Sequence, residues 1–244
     1  MSQLEKRREY IDCMFTGLFS RMLRPPASQC RVCRSWPAQP VCDPCVAEFA
    51  QPQPRCITCA LPLPAGQPQC GACLKAQPPL DLCLAAVSYA FPWAHLMADF
   101  KFHDQPALVK FFAHLLRATP WVEPSIEAAD LLLPMPLSRQ RLQVRGYNQA
   151  LLLAQQLHAR KTRADLLLRT ADTPAQHTLK RAQRLTGLAH SFAVDPLKVA
   201  LLQGARLLLV HDVMTTGASL YAAARVLKAA GAAHVTGLVI ARTE

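Results

Sequence analysis

The sequence lacks any apolar run long enough to cross a bilayer. A membrane-spanning helix needs roughly 18–20 consecutive apolar residues, and no stretch of the chain approaches that length. The first 26 residues are polar and basic, without an uninterrupted apolar core followed by small residues, which argues against a secretory signal. We therefore expect a cytoplasmic protein with no membrane span.

Aromatic residues and nucleotide-binding glycine motifs are scarce as well. Aromatic residues make up only 7% of the chain. This weakens an assignment as a single-strand binder, because such proteins stack bases on aromatic side chains. No Gly-Lys-Ser/Thr and no Gly-x-Gly-x-x-Gly occurs, which excludes a Walker loop and a dinucleotide fingerprint.

Acidic residues are few, because 16 Asp and Glu stand against 27 Lys and Arg and give a formal net charge of +11. Basic residues cluster between Ser138 and Arg184. Such a field favours a polyanion, either a phosphorylated metabolite or nucleic acid. A solvated basic face is the alternative, and charge alone does not decide between them.

The composition changes twice along the chain and predicts three parts. Residues 1–26 have apolar side chains at helical spacing and predict a basic amphipathic helix, which packs on its own protein or touches a partner or a membrane surface. Residues 27–80 carry eight of the ten cysteines and little apolar periodicity, so they need cross-links in place of a side-chain core. Residues 81–244 alternate apolar runs with helical stretches, which predicts an α/β fold.

Four strands and four helices are predicted from the periodicity of residues 81–244. The predicted strands are Leu84–Tyr89, Leu131–Met135, Leu207–Val210 and Val235–Ala241, and the predicted helices are His95–Phe100, Ala107–Ala118, Asn148–Arg160 and Leu220–Ala230. Because the strands are apolar and alternate with helices, we expect a mostly parallel sheet covered on both faces.

Four C-x-x-C pairs dominate residues 27–80, and each pair can present two thiolates to one metal ion. The pairs are Cys30/Cys33, Cys42/Cys45, Cys56/Cys59 and Cys70/Cys73. Two pairs complete a tetrahedral site, so we predict two structural Zn²⁺ ions. Either the first pair joins the second and the third joins the fourth, or the pairs interleave. Disulfides, redox activity and an iron–sulfur cluster are disfavoured by a reduced cytoplasm and by the regular paired spacing. Cys13 and Cys83 fall outside this pattern and are expected to be small buried side chains.

A candidate phosphate loop follows an apolar strand in the stretch Arg206–Ser219. Four apolar residues precede His211 and Asp212, at the end of the strand where open α/β sheets place their ligands. Small residues and hydroxyl groups come next, and together with a helix N-terminus they can surround an anion. They are Thr215, Thr216, Gly217, Ala218 and Ser219. Asp212 is placed to accept hydrogen bonds from sugar hydroxyls, whereas an ordinary turn that caps a helix is the alternative reading.

This stretch resembles the phosphoribosyl-pyrophosphate (PRPP) binding motif of type I phosphoribosyltransferases. In those enzymes two acids contact the ribose 2′- and 3′-hydroxyls. Here His211 stands at the first of these positions and Asp212 at the second. The resemblance implies a type I phosphoribosyltransferase-like fold, with a mostly parallel sheet flanked by helices and a pocket for PRPP. A histidine can hydrogen-bond a hydroxyl but supplies no carboxylate charge.

A second block, Asp130–Gln149, reads as a strand, a proline-bounded loop and a helix. Its loop end is rich in hydrogen-bond donors, namely Ser138, Arg139, Arg141, Arg145, Asn148 and Gln149. Arginine side chains suit a pyrophosphate or a nucleic-acid backbone, because the planar guanidinium binds phosphate with two hydrogen bonds. We expect Arg145–Gln149 to contact the ligand, while Arg139 and Arg141 are either ligand contacts or merely exposed.

Zinc knuckles, Pro-Met-Pro-Leu, Arg-Gly-Tyr-Asn-Gln and Thr-Thr-Gly, in that order, resemble the ComF family, which is associated with DNA uptake during natural competence. The resemblance covers residues Cys30 to Arg242 and implies a double zinc ribbon before a phosphoribosyltransferase-like domain. Phe100-Lys-Phe102 also matches the family and makes Lys101 a candidate ligand contact. The residues Gln176, Arg181 and Arg184 resemble a further segment of that family, in which Gly187 replaces the usual Asn.

Three functions follow from these resemblances. The first is transfer of phosphoribose from PRPP with Mg²⁺, which substrate oxygens and water would hold. His211 and Asp212 would then hold the ribose of PRPP. The second is a non-catalytic accessory that handles single-stranded DNA with a helicase or translocation partner of competence. The third is a pocket that senses a phosphorylated nucleotide without turnover. The acceptor substrate and the oligomeric state are not readable from the sequence.

Overall fold

A computed structural model describes residues 28–36, 38–170 and 191–244 of the chain. These residues form two compact units, one that ends at Cys42 and one that runs from Asp43 to Glu244. No helix in this described part is long and apolar enough to cross a membrane.

Three expectations concern residues outside the described ranges. They are the amphipathic helix in residues 1–26, the burial of Cys13, and the family segment with Gln176, Arg181 and Arg184. Each of them stays a prediction.

Eight α-helices and six strands occur among the described residues, and they are numbered here in chain order. They are α1 (Asp43–Phe49), α2 (Gly71–Ala76), β1 (Leu82–Ser88), α3 (Trp93–Phe102), α4 (Leu108–Arg117), α5 (Val122–Ala128), β2 (Leu131–Pro134), α6 (Arg139–Arg145), α7 (Gln149–His158), β3 (Leu167–Arg169), β4 (Phe192–Val194), β5 (Arg206–Met214), α8 (Ala218–Ala229) and β6 (His234–Arg242).

The main sheet has four parallel strands in the order β1-β6-β5-β2. β5 lies inside this sheet. On one side Leu208 of β5 pairs with Leu132 of β2, and on the other Val210 pairs with Leu238 of β6. Parallel strands need long crossover connections, which the intervening helices supply. The predicted α/β fold with a mostly parallel sheet is therefore confirmed.

Both faces of β5 are buried, as the run of apolar residues predicts. Leu207 and Leu209 belong to a core cluster that also contains residues of α8. Leu208 and Val210 are fully buried and lie outside that cluster. Because successive strand residues point to opposite faces, the two pairs fill the core on opposite sides of the sheet.

β5 is longer than the predicted strand. The prediction ended at Val210, whereas β5 continues to Met214 because β6 pairs with it over the whole length. His211 lies opposite Val239, and Met214 lies opposite Arg242. The polar pair after the apolar run is therefore part of the strand, and the loop begins at Thr215.

The apolar pattern of residues 81–244 misses four short elements. α5 and α6 have seven residues each, which is too short to display a helical period clearly. β3 pairs antiparallel with β4 in a separate two-stranded sheet. Each of these two strands has only three residues, so neither gives an alternating pattern that a sequence reading can detect.

The second group of cysteine pairs packs into the core of the α/β unit. Cys56, Cys59, Cys70 and Cys73 are buried in the same cluster as Met214, at the end of β5. Cys83 in β1 is also buried, as predicted, and its Sγ lies 3.6 Å from Met214 Sδ. The cysteine-rich segment therefore rests against the strand that carries the candidate phosphate loop.

Candidate functional site

The predicted ligand-binding side chains converge beyond the carboxyl ends of β2 and β5. Lys101 lies near the end of α3, and its Nζ is 3.0 Å from Oδ2 of Asp212 in β5. Both side chains are largely buried, with 15% and 7% of their surface exposed. A buried charge is costly unless it is paired, so each side chain fixes the other in place.

Asp212 is held in its ionised form. Burial by itself would raise the pKa of this carboxyl. The charge of Lys101 and a hydrogen bond from the main-chain N–H of Val213, at 2.6 Å, outweigh burial and hold the pKa below its usual range. An ionised carboxylate only accepts hydrogen bonds, which suits the hydroxyl groups of a sugar.

His211 is kept neutral beside this carboxylate. Burial lowers the pKa of the imidazole, and the charges of Lys101 and Arg145 lower it further, while Asp212 opposes them. The ring Nδ1 lies 3.3 Å from Asp212 Oδ1, but it makes no hydrogen bond within the described residues. A buried polar atom without a hydrogen bond is unusual. It can bond to a ligand hydroxyl.

The loop that follows β5 surrounds a small hollow of about 40 Å³. Its lining includes His211 and every residue of Thr215–Ser219. Thr216 Oγ1 accepts a hydrogen bond of 3.3 Å from the N–H of Ala218, where α8 begins. The first turn of a helix has N–H groups without intrahelical partners and a partial positive charge. The hollow therefore has the composition of an anion site.

Gly217 gives this loop its shape. Its φ is 81°, in the left-handed region that favours glycine. A Cβ at this position would lie 2.6 Å from Met214 Cε and 2.6 Å from Tyr221 Cζ. The sequence therefore needs glycine here for two reasons, the backbone angle and the close approach of the two side chains.

Arg145 and Gln149 contact each other close enough to Asp212 and His211 for the charge of Arg145 to act on both. Arg145 Nη1 donates a hydrogen bond of 3.2 Å to Gln149 Oε1, and its guanidinium lies 4.9 Å from the ring centroid of Phe102. Gln149 is only 1% exposed. Its Nε2 is buried without a hydrogen bond of standard geometry to any described residue. Two buried polar atoms, on Gln149 and His211, thus lack a hydrogen bond among the described residues.

Other predicted contacts are used to build the loop after β2. Asn148 caps α7, because its Oδ1 accepts from the N–H groups of Ala150 and Leu151, and its Nδ2 donates to Met135 O at 3.1 Å. Ser138 caps α6 through its hydroxyl. These bonds position the neighbouring side chains. Arg139 is exposed on the first turn of α6.

Arg242 is a site residue that the sequence reading missed. Its buried guanidinium donates hydrogen bonds to four main-chain oxygens, those of Cys59 (2.8 Å), Met214 (3.3 Å), Thr215 (2.5 Å) and Thr243. It thus holds the start of the loop against the second cysteine group. A single arginine at the carboxyl end of an apolar strand is the signal that could have identified it.

The eight paired cysteines form two groups of four. In each group all four Sγ atoms lie within 4.8 Å of one another. The first group is Cys30, Cys33, Cys42 and Cys45, and the second is Cys56, Cys59, Cys70 and Cys73. The first pair therefore joins the second and the third joins the fourth, as in the first of the two predicted pairings.

The sulfur spacing fits a tetrahedral metal ion. Cys33 and Cys42 Sγ atoms are 3.6 Å apart, and those of Cys59 and Cys70 are 3.7 Å apart. Four thiolates at a Zn–S distance of about 2.3 Å would be about 3.8 Å from one another. A closed set of four thiolates leaves no position open for substrate, so both groups are compatible with structural zinc.

Main-chain N–H groups also favour thiolates in both groups. The N–H of Cys42 donates to Cys30 Sγ, and the N–H of Cys70 donates to Cys56 Sγ, each at 3.4 Å. Burial opposes ionisation, yet such bonds lower the pKa of Cys30 to about 6 and that of Cys56 to about 7, whereas burial raises the pKa of Cys59 and of Cys73. The thiolate is the form that binds a metal ion.

A larger apolar cavity lies away from the site. It has a volume of about 780 Å³ and runs along β1, between the chain that follows α1 and the helices α4 and α5. None of the predicted phosphate-binding residues lines it. The polar groups that suit a phosphorylated sugar are therefore at the carboxyl end of the sheet.

The chain is similar to proteins named for DNA utilization and for competence. No family model matches it. It is 30% identical over 181 residues to the DNA utilization protein YhgH of Escherichia coli. This alignment covers 70% of this chain and 76% of the relative. It is 30% identical over 176 residues to Competence protein F of Haemophilus influenzae, covering 69% and 76%. Competence protein ComFC of Bacillus subtilis is 35% identical over 148 residues, which cover 60% and 58%.

Proposed function

The chain belongs to the ComF family, and from that premise we propose that it binds PRPP or a related phosphorylated ribose at the carboxyl ends of β2 and β5. One observation carries the proposal. An open loop with the composition of an anion site directly follows an ionised, buried carboxylate that Lys101 fixes in place. In a ribose 5-phosphate, the phosphate would occupy the anion site and the ribose hydroxyls would donate to the neighbouring carboxylate.

Each side chain has a role in this proposal. Thr215–Ser219 hold the 5′-phosphate through main-chain N–H and hydroxyl groups. Asp212 accepts hydrogen bonds from the ribose hydroxyls, and His211 bonds to one of them through its imidazole. Arg145 balances the negative charge of any further phosphate groups. Arg139 and Gln149 also contact the ligand in this proposal. Mg²⁺ would arrive with the ligand, held by phosphate oxygens and water.

Binding is proposed ahead of transfer, because of the charges in the site. Transfer would create positive charge on the ribose, and preorganised negative charge would stabilise that state. His211 is neutral, so Asp212 is the one acidic group of the matched motif. Transfer of phosphoribose to an acceptor remains the enzymatic form of this proposal, and release of pyrophosphate would reveal it.

Isothermal titration calorimetry tests the proposal. PRPP, ribose 5-phosphate and pyrophosphate are titrated into the metal-loaded chain with and without Mg²⁺. The matched variants are Thr216→Val, which removes a hydroxyl from the loop, and Thr119→Val, which removes one at the end of α4. We expect ribose 5-phosphate to bind the wild type and Thr119→Val alike, and Thr216→Val at least about fivefold more weakly. Equal affinities for all three proteins would refute the assignment.

A second function follows from the names of the relatives. Proteins named for DNA utilization and competence are similar to about 70% of this chain. We therefore also propose that the protein handles single-stranded DNA in the cytoplasm together with a translocation partner. The exposed Arg139 and the basic balance of the chain favour contact with a phosphate backbone. Affinity for an oligonucleotide should fall steeply as salt is added, and a complete lack of binding at low salt would refute this function.

A further inference from the structure

We propose that Phe102, with the guanidinium of Arg145 above it, is a stacking platform for a nucleobase, so that the ligand of the site is a nucleoside 5′-phosphate. This inference rests on the proposed function, because the base must be attached to a ribose phosphate held by Asp212 and the loop Thr215–Ser219. It adds recognition of the base to the recognition of the phosphate and the ribose.

The platform adjoins the ribose end of the site. Phe102 directly follows Lys101, whose Nζ contacts Asp212. Consecutive Cα atoms are about 3.8 Å apart, and consecutive helix side chains diverge by roughly 100°. Lys101 is therefore directed into the buried pair, whereas Phe102 points in another direction and is 62% exposed.

Arg145 connects the ring to the interior of the site. Its guanidinium lies 4.9 Å from the Phe102 centroid and donates to the buried Gln149. Tyr147 steadies this arrangement, because its hydroxyl donates to the main-chain oxygen of Phe100 in α3. One face of the Phe102 ring is thus covered by a cation. Since most of the ring is exposed, the other face is open to a planar group.

Phe91 shows what an exposed ring without such a role looks like. It is also 62% exposed, but it lies beside the start of α3 and makes edge contacts to Phe49 and His95, with centroids 5.5 and 6.3 Å away. α3 has ten residues, so the two rings are separated by roughly 15 Å. Phe91 therefore provides a matched control just before the start of the same helix.

The chemistry of the platform predicts a ligand class and a weak base preference. Every nucleobase has a π-face that can stack on an aromatic side chain, and this stacking strengthens binding. The ring of Phe102 offers no hydrogen bond, so purines should exceed pyrimidines only through their larger stacking area. A free nucleotide and the phosphorylated end of a strand share this chemistry.

Calorimetry with ribose 5-phosphate and AMP separates the base from the rest of the ligand. We expect AMP to bind the wild type at least about fivefold more tightly than ribose 5-phosphate, the ratio that about 1 kcal/mol of stacking gives. Phe102→Leu should remove this ratio and leave ribose 5-phosphate affinity unchanged. Phe102→Tyr and Phe91→Leu should both retain it.

The outcomes distinguish this inference from the proposed function. If neither ligand binds the wild type, the proposed function fails and the platform falls with it. If ribose 5-phosphate binds but AMP binds no more tightly, or if Phe102→Leu retains the full ratio, the platform alone is refuted. A 5′-phosphorylated oligonucleotide identifies the source of the ligand. Binding as tight as AMP supports strand ends, weaker binding supports free nucleotides, and either must be weakened by Phe102→Leu.

Discussion

The guanidinium of Arg242 donates a hydrogen bond of 2.5 Å to the main-chain oxygen of Thr215, the first residue of the candidate phosphate loop. The same side chain donates to the main-chain oxygen of Cys59 in the second cysteine group, at 2.8 Å. One buried arginine on the last strand therefore joins the loop to the cysteine-rich segment. Its loss should affect both.

We expect Arg242→Met to lower the free energy of unfolding by about 2–3 kcal/mol, because several buried carbonyl groups lose a charged donor. Ribose 5-phosphate affinity should fall as well, since the start of the loop is no longer held. Urea denaturation and calorimetry measure the two effects. Arg225→Met is the matched control, because Arg225 is exposed on α8, and a similar loss in that variant would contradict the assigned role.

Metal content should follow the two cysteine groups. We expect about two zinc ions per chain in the wild type and about one in Cys73→Ser, because a closed site needs all four thiolates. Cys83→Ser should keep about two, since Cys83 is a buried thiol outside both groups. Atomic absorption after exhaustive dialysis measures the content. A loss of metal from Cys83→Ser equal to that from Cys73→Ser would contradict the assignment.

Restoring an acid beside Asp212 should strengthen ribose binding. We expect His211→Asp to bind PRPP with Mg²⁺ about tenfold more tightly, because a charged acceptor makes stronger hydrogen bonds to hydroxyl groups than a neutral imidazole does. His211→Asn is the control, since it changes the shape without adding charge and should show no gain. Unchanged affinity in His211→Asp would mean that this side chain does not contact the ribose.

The imidazole of His211 should make the fold sensitive to acid. Burial lowers its pKa from the ordinary 6.5, and Lys101 on α3, Arg145 on α6 and Arg169 on β3 lower it further, against the opposing charge of Asp212. The unfolded chain therefore takes up a proton that the folded chain resists, and stability falls as the pH drops below about 6.5. Urea denaturation from pH 7.5 to 5.5 should show this slope, and it should be shallower in His211→Asn. Equal slopes in the two proteins would contradict the prediction.

The close contact of Met214 and Tyr221 with Gly217 should show in the stability of an alanine variant, compared with alanine at a second glycine. Gly217 and Gly146 have φ values of 81° and 74°, so alanine at either one strains the backbone by about 1–2 kcal/mol. Nothing lies within 4 Å of a Cβ at Gly146, whereas Met214 and Tyr221 are in the way at Gly217. We expect Gly217→Ala to be the more destabilising and to lose ribose 5-phosphate binding. Equal losses of stability would show that the neighbouring side chains move aside freely.

The successful predictions came from patterns that extend over only a few residues of the sequence. The four C-x-x-C pairs follow from gaps of two residues, whereas the structure decided between the two predicted pairings and joined consecutive pairs. The apolar run before His211 placed the central strand, although its end was set too early, because β6 extends the pairing to Met214. The same run predicted a loop at a strand end, where small residues and hydroxyl groups gather.

By itself, then, the sequence determined the four cysteine pairs, the α/β class and the position of the candidate phosphate loop, because spacing and periodicity are local properties of a chain. The tertiary structure alone decided that Lys101 would neutralise Asp212, that Arg242 would hold Thr215, and that Phe102 would be left exposed beside Arg145. These relationships join residues from different elements. Their geometry depends on how the whole sheet and its helices pack, and no local pattern contains that information.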